Sequence, residues 1–557
     1  MIMLGAYAAE SCPVKTQHEY DPLAPPAPTD EAAQQERFAG ANLFKDEVYP
    51  VLASAPGAVD LRDCPDALVL TRQAVADGAP LILGPRLPWS ISGHRKGHPE
   101  ALVRGADRAD GSPGYLPLRI KRHRVLERQR MTDPWVWVAP LARPWLDDAQ
   151  VPDEASFRGG RERDALQLAH FWRLLDEIGW VAEGCPTGAL IGTDQIADLD
   201  GDLGVVWVNL LHKGFRAFSR TASSGWKRRS ALERYDHEFG FRVKVAQTAQ
   251  AHTAESARLM VQPIVTRECN SCQWWSVCAP ALDDDDLSMQ INKSPLDVRE
   301  IGALRKLGVS TVNDLVSADI EALLPAYLPE VQHRPGGEQR LRLAARRATL
   351  IAEGVNLERL NEIPADLPEH DLEIDFDIET SRDDRIYLWG FLVHDRASSK
   401  VWYESFADFR ELDDEQECEL AARAAAWLVR LCENRDAQVY HYSDYELVHL
   451  AKVGAMSKDA HLLTLLERRD LFTDLFASVR DHWFGAQGLG LKVVAFEGPG
   501  FRWRDPDPSG LASQGWFTEA VAGDTEQTRS VAVTRLLEYN EDDVRATWAV
   551  RDWLRRT

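Results

Sequence analysis

One stretch near the C-terminus decides the fold, and it reads Leu372-Glu373-Ile374-Asp375-Phe376-Asp377-Ile378-Glu379-Thr380. Apolar and acidic residues alternate in it with a period of two, which is the period at which a β-strand presents side chains to one face of a sheet. One face is therefore apolar and the other carries carboxylates. Acidic residues disfavour strands and repel one another across a face. The pattern favours a strand that binds a cation, and the alternative is a half-buried strand with an acidic face in solvent.

Two later segments offer further carboxylates. Residues 439–446 have the pattern of a short strand followed by the start of a helix, and the acid there is Glu446, with Asp444 as a rival two residues earlier. In the predicted terminal helix, Tyr539 and Asp543 are four residues apart and share one helical face. Oxygen ligands suit Mg²⁺ or Mn²⁺. We therefore predict a metal site whose ligands are Asp377, Glu379, Glu446 (or Asp444) and Asp543.

The order of these motifs resembles the exonuclease motifs of the DEDD superfamily: Asp377-x-Glu379, His441-x3-Tyr445-Glu446 and Tyr539-x3-Asp543. The resemblance implies a ribonuclease-H-like domain over residues 368–557 that degrades strands from the 3′ end, and the third motif points to the tyrosine-bearing branch. It also implies that the four acids hold two Mg²⁺ or Mn²⁺ ions. Tyr539 would position the attacking water or help to deprotonate it. Most members have Asp where this chain has Glu446.

The coarse layout of this region agrees with such a domain. Apolar, aromatic-rich runs predict strands at 387–393 and 401–406, which follow the acidic strand as a meander. An Ala-rich run predicts a helix over 415–432, and a further strand is predicted at 438–442. Three antiparallel strands, a helix and another strand form the order that a ribonuclease-H-like domain needs.

Three of the eight cysteines are clustered in the run Cys269-Asn-Ser-Cys272-Gln-Trp-Trp-Ser-Val-Cys278. Thiolates at this C-x2-C-x5-C spacing ligate zinc or an iron–sulfur cluster. The start of the chain lacks the apolar run of a signal peptide, and no stretch approaches ~18 apolar residues. We therefore expect a cytoplasmic protein without a membrane segment, in which disulfides are disfavoured. A fourth ligand must come from Cys12 or Cys64, each of which precedes a proline.

One cysteine far upstream of such a triplet resembles the iron–sulfur staple of RecB-like nucleases. The resemblance implies an α/β domain over residues 1–282 and a [4Fe–4S] cluster on Cys12 and the triplet Cys269, Cys272 and Cys278, with zinc as the alternative. Cys64 stays open as the alternative fourth ligand.

The same resemblance implies a second nuclease site at Glu47, Glu100 and Lys121. Arg119 stands where this family has an acid, and an arginine cannot ligate Mg²⁺. We therefore expect a degenerate site that binds nucleic acid. The basic run 119–130 suits phosphate contacts, and a solvated basic face is the alternative.

Residues 290–360 are Leu/Ala/Arg-rich with a helical pattern. A turn at Gly308 between two short amphipathic helices resembles a helix-hairpin-helix, which binds a backbone phosphate through amides at a helix N-terminus. Gly308 would allow the tight turn, and Ser310 or Thr311 would cap the second helix. The alternative is a helical spacer.

The length and net charge of the chain limit these expectations. The chain has 557 residues, enough for two to four domains, and a formal net charge of −23. A protein with this much negative charge does not bind nucleic acid over most of its surface. The chain has no G-x-x-x-x-G-K-[ST] loop, so a separate helicase must supply any unwinding.

Taken together, the order of domains resembles a bacterial family of RecB-like nucleases with a YprB-type ribonuclease-H-like C-terminus. The fold class expected is α/β multidomain. The function implied is metal-dependent 3′→5′ hydrolysis of single-stranded or frayed DNA, or of RNA, in DNA repair or nucleic-acid processing. The alternative is an iron–sulfur scaffold with impaired nuclease sites that binds nucleic acid within repair complexes.

Overall fold

The computed structural model describes residues 1–26, 44–219, 221–222, 225–253, 255, 259–291, 296–382, 384–506 and 510–557. Over these ranges the chain separates into two compact units. The N-terminal unit comprises Met1–Met289, Val298–Gly308 and Glu321–Glu338, and the C-terminal unit comprises Gln290–Asp297, Val309–Ile320 and Gln339–Thr557. The helical segment predicted as a separate domain is thus divided between them. No described helix is both long and apolar enough to cross a membrane.

The N-terminal unit is a mixed α/β structure. Its helices are α1 (Pro13–Tyr20), α2 (residues 44–53), α3 (Ala67–Ala76), α4 (Glu162–Glu177), α5 (Ala231–Gln250) and α6 (Trp275–Cys278). Its strands are β1 (Ala58–Asp60), β2 (Leu81–Leu83), β3 (Ala101–Arg104), β4 (Tyr115–Ile120), β5 (Leu126–Arg128), β6 (Val136–Pro140), β7 (Ala155–Phe157), β8 (Thr187–Ile191), β9 (Gly204–Asn209), β10 (Phe215–Phe218) and β11 (Trp226–Arg229).

In the described part of this unit, the largest sheet has seven strands in the order β1-β2-β3-β4-β8-β9-β6. Strands β2, β3 and β4 form an antiparallel meander, and β8 returns parallel to β4. The connection to β8 includes α4, which packs against both strands. This arrangement brings the start of α4 beside the segment that leaves β4.

The helical segment follows as α7 (Leu287–Gln290), α8 (Val298–Lys306), α9 (Val312–Ser317), α10 (Ile320–Tyr327) and α11 (Gly337–Ala352). The C-terminal strands are β12 (Leu357–Arg359), β13 (Leu372–Thr380), β14 (Ile386–Asp395), β15 (Lys400–Ala407), β16 (Ala437–His441), β17 (Phe472–Asp474) and β18 (Trp483–Gly485). The C-terminal helices are α12 (Asp414–Cys432), α13 (Tyr445–Met456), α14 (Ala460–Glu467), α15 (Leu475–His482), α16 (Leu491–Glu497), α17 (Gly510–Ala522) and α18 (Glu526–Arg556).

The acidic stretch is the central strand of the C-terminal unit. Among the residues described, the main sheet there has five strands in the order β15-β14-β13-β16-β17. Strands β13, β14 and β15 are antiparallel neighbours, whereas β16 and β17 run parallel to β13. The predicted meander, helix and further strand are therefore confirmed, with bounds within a few residues of those expected from the sequence.

Both faces of β13 are buried. The apolar side chains Leu372 and Ile374 lie in a core that includes α12, as alternation predicts. The acidic face is also covered, because α18 packs against β13 and β14. Glu373 and Asp375 are 0% exposed, so the alternative of an acidic face in solvent is wrong.

Arginines neutralise the first half of the acidic face. Arg551 on α18 is itself 0% exposed; it pairs with Glu373 and donates to Asp375 Oδ2 at 2.7 Å. Arg555 donates to Glu373 Oε1 at 2.6 Å. Burial raises the pKa of Glu373, but hydrogen bonds from Arg555 and the charge of Arg551 outweigh it and hold that pKa at about 2. Burial raises the pKa of Asp375 to about 6 despite Arg551. These acids serve the fold and not a metal.

Replacing Arg551 with Met should destabilise the protein by about 3–5 kcal/mol, because buried Asp375 would lose its counter-charge and buried Glu373 would lose one of its arginines. Chemical denaturation of the full chain measures the change. The control is Arg545→Ala on the same helix, whose i,i+4 pair with Glu541 contributes only about 0.5 kcal/mol. Equal denaturation midpoints for Arg551→Met and wild type would contradict the interpretation.

Candidate active site

The second half of the acidic face forms a carboxylate group with the terminal helix. Asp377 and Glu379 extend from β13 and Asp543 from α18, and one oxygen of each lies within 4.8 Å of the others. Glu379 and Asp543 are buried, and Asp377 is partly buried. No described arginine pairs with any of the three. Three convergent carboxylates without an arginine could hold a divalent cation.

The electrostatics of the group support a cation site. Burial raises the pKa of Asp377 well above its usual range, and the negative charges of Asp543, Glu379 and Glu446 raise it further. Burial, with the charge of Asp543, raises the pKa of Glu379 to about 8. Burial also raises the pKa of Asp543. Ionising all three together requires positive charge from outside the group.

Neutral donors hold the carboxylates in place. Each acid receives one hydrogen bond from a group that carries no charge, which fixes its direction without neutralising it. The donors are Asn540 Nδ2 to Asp377 Oδ2 (2.8 Å), Ser513 Oγ to Glu379 Oε2 (3.0 Å) and Trp503 Nε1 to Asp543 Oδ1 (2.6 Å). Tyr403 donates in turn to Asn540 Oδ1 at 2.8 Å, which fixes the amide orientation. Sequence reasoning missed these residues, although Asn540 adjoins Tyr539 within the third motif.

The geometry favours Glu446 over Asp444 as the acid of the second motif. Glu446 lies in the first turn of α13, is 4% exposed, and raises the pKa of Asp377 through its charge. Among the described residues its Oε2 has no hydrogen-bond partner, and His441 Nδ1 is 3.6 Å away. Asp444 is exposed at the N-cap of α13. An orphaned buried carboxylate oxygen fits a metal ligand.

A strained turn sets the position of α13. Ser443 has φ = 87°, in the left-handed region that a non-glycine residue rarely adopts. Its backbone N–H donates to Asp474 Oδ1 at 2.9 Å, and its carbonyl accepts from His441 Nδ1 at 2.5 Å. Strain of this kind is retained where a side chain must be aimed. Here it directs the start of α13, and with it Glu446.

Tyr539 is paired with a lysine that sequence reasoning did not find. Tyr539 is buried, and Lys492 Nζ on α16 donates to its hydroxyl at 2.7 Å. The same Nζ lies 3.7 Å from Asp543 Oδ1. Burial and the neighbouring carboxylates raise the pKa of Tyr539 far above its usual value. The phenol therefore stays protonated and acts as an oriented hydrogen-bond donor.

In the N-terminal unit, the predicted second nuclease site has its own counter-ions. Arg119 donates to Glu100, and Lys45 Nζ donates to the same carboxylate at 2.9 Å. Burial raises the pKa of Glu100, but these two cations outweigh it and lower that pKa. Lys121 pairs with Asp164 at 3.1 Å, and Glu47 is exposed on α2. Arg119 and Lys45 thus neutralise Glu100, and a degenerate nuclease site at Glu47, Glu100 and Lys121 stays a prediction.

The structure brings Cys12 to the downstream triplet. Cys12, Cys269, Cys272 and Cys278 line one cavity, together with Trp274. Burial raises the pKa of Cys278 to about 11, and the other three thiols contribute. Cys64 does not line this cavity, and its Sγ lies 4.0 Å from Asp60 O. Four thiols that line one cavity are the ligand type of a metal-thiolate centre, and a bound cation would help them to ionise together.

The structure has a tight turn at the position where the helix-hairpin-helix turn was predicted. Gly308 has φ = 84°, as the tight turn requires, and Thr311 caps α9 rather than Ser310. The backbone N–H groups of Ser310 and Thr311 both donate to Asp314 Oδ2, at 2.9 Å each. A phosphate would have to displace this carboxylate. Phosphate binding at Gly308, Ser310 and Thr311 therefore stays a prediction.

The fold and the acidic site together define a nuclease-type class of domain. Residues 374–555, about one third of the chain, match the family model of the RNase H superfamily. The C-terminal domain is therefore ribonuclease-H-like, as expected from the three motifs. A search of curated proteins found no match to this chain.

The raised pKa of Glu379 predicts a pH-dependent stability in metal-free protein. Folded Glu379 holds its proton up to about pH 8, whereas the ordinary value is 4.5. The folded state therefore binds more protons between these values, and stability should fall as pH rises from about 5 to about 8. Thermal unfolding in EDTA across this range measures the fall, and Mn²⁺ should reverse it at pH 8. Glu379→Gln should flatten the profile; a slope equal to that of wild type would contradict the assignment.

Proposed function

We propose that this protein is a metal-dependent exonuclease that hydrolyses single-stranded or frayed DNA from the 3′ end, with RNA as the second substrate class. The observation that carries the proposal is the convergence of Asp377, Glu379 and Asp543 on a ribonuclease-H-like sheet without an arginine to neutralise them. Arg551, which reaches the same strand face from α18, neutralises the acids that serve structure. The unneutralised acids are therefore assigned to catalysis.

Four acids would hold the metal ions, Asp377, Glu379, Glu446 and Asp543. When bound, two Mg²⁺ or Mn²⁺ ions supply the positive charge that activates a water molecule and stabilises the leaving 3′ oxygen. The orphaned Oε2 of Glu446 and the raised pKa values of the other acids support this ligand set. Asn540, Ser513 and Trp503 would keep the carboxylates directed inward.

Tyr539 would orient the attacking water by donating a hydrogen bond. Its raised pKa argues against a role as a general base at neutral pH. Lys492 donates to the phenol oxygen at 2.7 Å, and the phenolic proton faces Asp543, on the side of the carboxylate group. The lysine also places a fixed positive charge beside Asp543. A proton donor held in this way fits the positioning of a nucleophile.

Asp377→Asn should abolish the activity on end-labelled strands. The assay compares 3′- and 5′-labelled single strands of DNA and RNA with Mn²⁺ or EDTA. Stepwise loss from the 3′ end by wild type alone would establish the reaction and choose the substrate class. Tyr539→Phe should retain metal binding but lose about 100-fold in rate, because the water loses its orienting donor.

The rival acids of the second motif provide a matched pair for this assay. Glu446→Gln should lose activity, as Asp377→Asn does, because each variant removes a metal ligand. Asp444→Asn, two residues away and exposed, should remain active. Activity that survives in Asp377→Asn and Glu446→Gln would overturn the assignment of chemistry to the C-terminal unit.

We also propose that Cys12, Cys269, Cys272 and Cys278 hold a [4Fe–4S] cluster, with zinc as the alternative metal. The cavity joins cysteines 257 residues apart in the chain. Contacts beside it secure the same junction: Lys15 pairs with Glu268 at 2.6 Å, and Arg242 donates to Ser11 O at 2.8 Å. A metal centre at this position would link the start of α1 to residues 269–278 of the N-terminal unit.

The absorbance and metal content of the purified protein test both the kind of metal and the fourth ligand. Protein purified anaerobically should be brown and absorb near ~400 nm if the cluster is iron–sulfur, and colourless with bound zinc otherwise. Cys12→Ser should lose the metal and the absorbance, whereas Cys64→Ser should keep both. Retention of metal in Cys12→Ser would contradict the ligand set.

A second candidate function is that of a nucleic-acid-binding scaffold. The neutralisation of Glu100 by Arg119 and Lys45 favours it for the N-terminal unit. Strand binding without cleavage by wild type would make it the better description of the whole protein. In either role a separate helicase would supply unwinding, within DNA repair or nucleic-acid processing.

A further inference from the structure

A cluster of arginines stands out on the acidic N-terminal unit. Two chain segments contribute them, the residues that leave β4 and the residues that begin α4. The segments are adjacent, because Arg158 N–H donates to Val125 O at 2.9 Å and Arg161 Nε donates to Arg124 O at 3.1 Å. We name as the arginine surface the five residues Arg122, Arg124, Arg158, Arg161 and Arg163.

These arginines differ from their neighbours in forming no ion pair at contact distance, although the charges of Arg124 and Arg163 act on Asp194 and Glu10 from farther away. Across the described ranges, none of the five forms an ion pair. The nearby acids are occupied elsewhere: Glu162 pairs with Arg234 at 2.7 Å, and Asp164 pairs with Lys121 at 3.1 Å. Four of the five arginines are exposed, and Arg161 is partly buried. In a chain of net charge −23, an unpaired cationic surface is complementary to a polyanion.

An exposed aromatic ring contacts Lys121, the residue that precedes this surface in the chain. Tyr7 is 58% exposed, and Lys121 Nζ lies 5.8 Å from the centre of its ring. Lys121 directly precedes Arg122 in the chain, and the charge of Arg163 acts on Glu10, which is three residues from Tyr7. Aromatic rings next to basic grooves stack with unpaired bases, while the cations follow the phosphates.

We propose that the arginine surface binds the phosphate backbone of a single-stranded nucleic acid and that Tyr7 stacks on one of its bases. This inference rests on the proposed nuclease function, because the same chain then carries a site that degrades such strands. The surface goes beyond that site, since none of its residues belongs to the carboxylate group that would cut the strand. An unpaired strand is favoured over a duplex because Tyr7 requires an accessible base face.

The test measures binding of a fluorescent oligonucleotide to the full chain in EDTA, by anisotropy at several salt concentrations. The main variant replaces Arg122, Arg124, Arg158 and Arg163 with Ala, and it leaves Arg161 because its Nε supports the backbone. The slope of log affinity against log salt should become shallower by about 0.7 for each phosphate that the variant no longer neutralises, roughly 3 in all. Tyr7→Ala should weaken binding about tenfold with an unchanged salt slope.

Arg128→Ala is the matched control. Arg128 follows the same segment and is 86% exposed, but it pairs with Glu154 at 2.8 Å. Its removal should leave affinity and salt slope near the wild-type values. Circular dichroism of every variant confirms that the fold is retained, which is expected because the replaced side chains are on the surface.

Wild-type slope and affinity in the quadruple variant would overturn the inference. So would absence of oligonucleotide binding by wild type, or binding to anionic vesicles alone. The proposed function fails in a distinguishable way, since a protein that binds strands through these arginines but cuts none with Mn²⁺ would retain the surface and lose the exonuclease.

Discussion

The C-terminal unit depends on one constraint: the acidic face of a strand is covered, so that three of its carboxylates are buried and Asp377 is partly buried. The alternation in β13 sends every second side chain toward α18, and each buried charge must be neutralised or protonated. Glu373 and Asp375 obtain an arginine from the helix. Asp377 and Glu379 obtain only neutral donors. One half of this strand face is thus neutralised by arginine. The carboxylates of the other half still need positive charge in order to ionise together.

Helix α18 supplies both the arginine that neutralises the structural acids and the third carboxylate of the candidate site. Asp543 and Arg551 are eight residues apart on α18, or about 12 Å along its axis. A shift of that helix would separate the arginine from its acids and the third carboxylate from its partners at the same time. Stability and site geometry are therefore coupled, and the free energy of the buried ion pairs helps to hold the carboxylate group together.

The N-terminal unit shows the opposite solution to a similar problem. Its buried acid Glu100 is neutralised by Arg119 and Lys45, so little unmet charge remains to attract a metal. Arg119 was noticed in the sequence, because it stands where RecB-like nucleases, which this region resembles, have an acid. The pairing that follows from it was not visible, since Lys45 and Glu100 are 55 residues apart. The two units therefore differ in whether their clustered acids are neutralised by neighbouring cations.

The sequence by itself predicted the acidic strand, the order of elements along the C-terminal domain and the candidate acids Asp377, Glu379 and Asp543, because strand alternation and helical spacing are local. A family resemblance favoured Cys12 over Cys64 as the fourth ligand; Cys12 lines the cavity of the triplet, and its role as a ligand stays a prediction. Only the tertiary structure decided which acids of the strand meet arginines and that Glu446, not Asp444, is buried beside Asp377. Lys492 and Trp503 were found only there. They precede their partners by 47 and 40 residues, and the packing of separate elements, which no local pattern encodes, brings them together.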